Sequence, residues 1–146
     1  MKSVSQLFLR LVLSVGFFLP VLDRLGLIGI PGSGFVSWGN WENFLKYTHS
    51  MLPFLPTSVA NIFGLFATVL EFVLGVLLLF GFQTRMAALG SAMLTATFAL
   101  FMTLSFGIGA PFKYPVLLFT GASLLLSTVD CYKWSTDNLL NFKIKC

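Results

Sequence analysis

Between Arg85 and Lys113 the chain carries no charged residue. A stretch this long and this apolar can cross the roughly 30 Å hydrocarbon layer of a bilayer as one helix. In water it would need a large polar shell, and the rest of the sequence cannot build one. Of 146 residues, 57% are hydrophobic and only 10% charged, against about 25% charged in an ordinary soluble domain. The mean hydropathy of +0.91 agrees. The expected class is an all-α integral membrane protein, a transmembrane four-helix bundle, with no room for a separate soluble catalytic domain.

The expected spans are residues 5–27, 58–82, 86–107 and 114–134, forming one membrane domain over 1–134. A polar tail follows over 135–146. The N-terminal part carries Lys2 and Arg10, then the apolar run Leu11–Leu22, then Asp23-Arg24. No small-x-small cleavage site follows the run, so a retained span is expected rather than a removed leader. Pro20 is expected to kink it. "GFQTR", Gly81–Arg85, reads as a tight turn between spans two and three.

Between spans one and two lies an aromatic segment. Its beginning, Ile28–Gly34, is rich in Gly and Pro and reads as coil. Phe35, Trp38, Trp41, Phe44 and Tyr47 then recur every three residues, with Glu42, Lys46 and His49 between them. That spacing predicts a short amphipathic helix over Phe35–Met51, lying in the interface or capping the bundle.

Nine cations give a net charge of +4 without forming a basic run, so nucleic acid is not an expected partner. They bear on topology instead. Lys2, Arg10, Arg85, Lys133, Lys143 and Lys145 fall on one side, and Arg24, Lys46 and Lys113 on the other. The positive-inside rule then puts both termini in the cytoplasm. Cys131 and Cys146 would be there too, as reduced thiols. One histidine and two scattered cysteines supply no metal-ligand cluster. No nucleophile–base pair or phosphate loop stands out, so no catalytic residue is assigned and a self-contained enzyme is not expected.

Glu71 lies in the middle of span two. Helical counting puts Asn61, Gly64, Thr68, Glu71 and Gly75 on one face and Phe66, Leu70, Val73 and Leu77 on the other. Small and polar residues mark helix contacts, and bulky apolar ones mark lipid, so Glu71 is expected to point inward. Span three offers small rows at Ala88, Ala92, Ala96 and at Ser91, Thr95, Ala99, Thr103. In span one, Arg10, Ser14 and Phe17 share a face. Arg10 lies about 8 Å from the start of its span and Glu71 about 16 Å from the same side, at 1.5 Å per residue. Arg10 is therefore the expected partner of Glu71, with Thr68, Asn61 and Ser14 completing a candidate ligand-binding face. Asp23 and Arg24 read as a locally paired span boundary. Glu71 can serve packing alone, or it can bind a small polar head or pass a proton.

Two stretches carry a family resemblance. "LRLVLSVGFFLPVLDRLG" and "LEFVLGVLLLFGFQTRMAALG", Leu70–Gly90, resemble the DoxX family of small four-helix bacterial membrane proteins. The similarity extends over roughly Leu7–Leu126. It implies an accessory protein of the bacterial inner membrane in a quinone- or thiol-linked redox system. Quinone is the implied cofactor. A partner oxidoreductase subunit or a second copy of the chain is the implied partner, beside the lipid itself. Arg10 and Glu71 occupy the family's polar positions. Related redox membrane proteins carry paired cysteines in or near the spans, and this chain has none, so the resemblance does not extend to a thiol relay. Two other classes remain open on the residues alone: a small transporter or lipid-handling protein, and an assembly protein with no ligand.

Overall fold

A computed structural model describes residues 2–34 and 36–140, and among them every regular element is helical. The helices are α1 (Lys2–Arg24), α2 (Trp41–Met51), α3 (Thr57–Phe80), α4 (Thr84–Phe106), α5 (Ala110–Lys113), α6 (Val116–Ser127) and α7 (Thr136–Leu139). Three of them, α1, α3 and α4, are long and apolar enough to cross a membrane. α1 runs unbroken through Pro20.

α1 packs along α3, and α4 along α6. The two pairs meet on a shared core of Leu13, Phe17, Leu74, Leu78, Ala87, Ala88 and Leu126. Small residues let the backbones approach, as membrane helices require. At Gly75, an added Cβ would lie 3.1 Å from the Phe18 ring. Ala88, Ser91, Ala92, Thr95 and Ala99 of α4 are buried as their spacing predicts, whereas Ala96 faces outward. Phe66, Phe72, Met93, Leu100, Leu104 and Leu118 are exposed on the outside, which suits a surface wetted by lipid tails.

The expected fourth span, 114–134, is not among the helices long enough to cross. Tyr114 is extended (φ −107°, ψ 146°) before Pro115, as a residue preceding proline prefers. α6 then covers only 12 residues, about 18 Å of rise. At the end of α6 the Ser127, Thr128 and Tyr132 hydroxyls donate to the carbonyls of Leu124, Leu125 and Leu126, and the segment beyond is tied to α1. Gln6 Nε2 donates to Lys133 O (2.8 Å) and Arg10 Nη2 to Trp134 O (2.7 Å). Asp137, in the one-turn α7, then reaches back across the sequence. Its carboxylate accepts the Gln83 and Thr84 amides and the Thr84 hydroxyl, satisfying orphan N–H groups at the start of α4. This end of the molecule, with the start of α1 and the Gly81–Gln83 turn, is the terminal end. The opposite end carries α2 and α5 and is the cap end.

α2 begins later than the aromatic spacing predicts, at Trp41 rather than Phe35. Phe35 lies outside the described residues, as do the Cys146 thiol and the rest of 141–146. Residues 36–40 form a loop because Asp23 captures their amides, and Asn40 then caps the helix through Asn43 N–H (2.8 Å).

Candidate functional site

The residue that holds the polar interior together is Arg24, at the last position of α1. Its face is set by helical repeat: Arg10, Ser14, Phe17, Val21 and Arg24 are all buried. The guanidinium grips Glu71 with two nitrogens, Nη1 to Oε2 and Nη2 to Oε1 (3.2 Å). Such a fork-to-fork pair is the strongest geometry available to arginine and a carboxylate. Nη1 also donates to Thr68 Oγ1 (2.9 Å), and Thr68 passes its own proton to Gly64 O (2.8 Å). Thr68 and Glu71 stand three residues apart on α3, so one helix face presents both acceptors.

Glu71 therefore pairs with Arg24, not with Arg10. Counting residues from the membrane edge put Arg24 too far away. The loop after α1 folds over the helix end, so Arg24 is 4% exposed rather than at an aqueous boundary. Above it lie two rings. The guanidinium carbon is 4.1 Å from the Phe44 ring centre and 5.1 Å from that of Trp38. These two aromatics, expected as interfacial anchors, are cation–π partners that close the pair off from its surroundings. Arg24 Nε is buried and makes no hydrogen bond.

Asp23 and Arg24 do not pair with each other. Asp23 turns the other way and accepts three loop amides, from Ser37 (2.8 Å), Trp38 and Gly39 (2.7 Å). Two adjacent residues thus do two jobs: one fixes the loop, the other lies under it. The sequence signal was present, since an acidic residue before a Gly-rich loop suits an amide nest.

The other expected site residues fall elsewhere. Ser14 donates to Gly75 O (2.8 Å) and ties α1 to α3. Asn61 Oδ1 lies 2.6 Å from His49 Nε2, joining α3 to α2. Arg10 lies at the terminal end, holding Trp134 O, with Nε and Nη1 lacking hydrogen bonds. The candidate face is thus divided: Glu71, Thr68, Arg24 and Asp23 cluster at the cap end, while Arg10 belongs to the opposite end. Among the described residues, no three His, Cys, Asp or Glu side chains converge to hold a metal.

Comparison with curated proteins and with solved structures gave no significant match. The DoxX family model matches residues 5–104, a segment that takes in most of α1, all of α2 and α3, most of α4, the Arg24–Glu71 pair and its aromatic cover. The chain belongs to the DoxX family of membrane proteins.

Proposed function

We propose that this protein is an accessory membrane subunit of a quinone-linked redox system in the bacterial inner membrane. It would act beside a partner oxidoreductase, not as an enzyme by itself. The observation that carries this reading is the Arg24 site. It joins a buried cation, an uncommitted Nε–H and two aromatic rings inside an apolar bundle. A quinone head offers carbonyl acceptors on a flat ring, and the donor and the two rings fit that chemistry. A bound quinone would supply two-electron acceptance. The chain's own part would be to hold the carbonyl at Arg24, with Glu71 keeping the guanidinium oriented. Residues 1–134 would form one membrane domain. α6, with α5 and the segment after it, would complete a four-helix bundle, and both termini would lie in the cytoplasm.

The ligand-free assembly reading has one observation in its favour: both Glu71 oxygens are already held by Arg24. Protein purified in native-membrane discs separates the two. Extraction and mass spectrometry should find near-stoichiometric quinone, reduced severalfold in Trp38→Leu at unchanged folding. No quinone in the unaltered protein, with Trp38→Leu affecting only thermal stability, would establish the assembly reading instead.

A further inference from the structure

A cleft lies at the cap end, one ring beyond Arg24, since its Tyr47 packs on Trp38 (ring centroids 5.7 Å apart). α2 meets the end of α4 and the short α5 around an open cleft of about 420 Å³. That size lies within the usual range of small-molecule sites. Tyr47, Phe106, Lys113 and Tyr114 supply its side chains, and Gly109 and Ala110 leave room between them.

Lys113 is a cation without a counter-ion. The chain has five acidic residues, and none is available to it among the described contacts. Asp23 is held by loop amides, Glu71 by Arg24 and Glu42 by Lys46 (2.9 Å). Asp137 caps α4 at the terminal end, and Asp130 follows α6 at that same end. The cleft therefore offers uncompensated positive charge. It also offers phenol donors. Burial, and then the neighbouring Tyr114, push the Tyr47 phenol above its usual range, so it keeps its proton. Neither phenol makes a hydrogen bond among the described residues. Phe106 in the lining, Ile108 in the turn after α4 and Phe112 in α5 are 45%, 79% and 74% exposed. A charged, phenol-lined mouth over exposed apolar side chains matches the boundary between headgroups and acyl chains.

We propose that the Tyr47–Lys113–Tyr114 cleft binds the phosphodiester head of an anionic phospholipid. Lys113 meets the phosphate charge and the two phenols donate to its oxygens. The acyl chains run down over Phe106, Ile108 and Phe112. The unbalanced cation is what selects an anionic lipid over a zwitterionic one. This assignment does not depend on the redox reading.

Native mass spectrometry of the full chain in detergent, titrated with phosphatidylglycerol or phosphatidylcholine, tests it. The unaltered protein should retain phosphatidylglycerol in preference to phosphatidylcholine. Lys113→Gln should weaken phosphatidylglycerol binding about fivefold, the scale of one lysine at a lipid surface. Tyr114→Phe should weaken it less. Lys46→Gln, at another exposed cation of the same end, should leave it unchanged. Because Lys113 is exposed, its replacement should leave the circular dichroism spectrum intact. Equal retention of both lipids, or unaltered binding in Lys113→Gln, would overturn the proposal. Displacement by millimolar inorganic phosphate would also overturn it, making the cleft a site for soluble anions.

Discussion

Arg24 joins three segments: its own helix α1, Glu71 and Thr68 on α3, and the rings of Trp38 and Phe44. Removing one partner of such a buried pair leaves a bare charge, typically at a cost of about 3–5 kcal/mol. Glu71→Gln should therefore lower the thermal midpoint in detergent sharply. Replacing both partners with apolar residues, Arg24→Met with Glu71→Leu, should recover much of that loss. If both variants melt like the unaltered protein, the pair contributes no stability. The inward direction of Glu71 was legible in its helical face, because Gly64, Thr68 and Gly75 repeat with it. Its partner was not. Pairing depends on how far α1 slides along α3, and nothing in the two apolar repeats sets that offset. Asp23 and the amides of Ser37 to Gly39 set it instead, through a loop that reads only as coil.

At the scale of elements, the three long apolar helices α1, α3 and α4 were the readable part, since their apolar length is demanded by the bilayer. The starts and ends of the shorter helices were not. An aromatic period of three continued backwards from Trp41 to Phe35 and hid the true start, which Asn40 fixes. Asn40→Ala should destabilise α2 by about 1 kcal/mol. Amide exchange should then speed up across residues 41–44 while α3 and α4 stay protected. Unchanged exchange there would mean that packing on α3 alone holds the helix. That packing is close: at Gly64 an added Cβ would sit 3.2 Å from Phe44. α6 shows the converse case. It ends at Ser127, where the apolar run gives way to Asp130 and Lys133, and Gln6 and Arg10 on α1 then hold the Lys133 and Trp134 carbonyls.

For the whole molecule, charge decides orientation. Single cysteines at exposed positions, Ser50→Cys at the cap end and Thr128→Cys at the terminal end, can be probed in intact cells after the native cysteines are replaced by serine. A membrane-impermeant maleimide should label Ser50→Cys and spare Thr128→Cys. The opposite pattern would put the termini outside. The cation count that gave the first orientation includes Arg10 and Arg24. Both are buried in the bundle, so they report on packing more than on sidedness. Without them the bias still runs the same way, with Lys2, Arg85, Lys133, Lys143 and Lys145 against Lys46 and Lys113.

The Arg24–Glu71 pair also dictates an order of events during synthesis. Arg24 leaves the ribosome 47 residues ahead of its carboxylate. When α1 first enters the bilayer, that arginine has no partner, and its cheapest place is among the headgroups. It can sink to its final depth only after α3 has inserted and brought Glu71 to meet it. α1 must therefore begin shallow and settle later, drawing the aromatic loop down with it. α1 is made before α3 but reaches its final depth only with it.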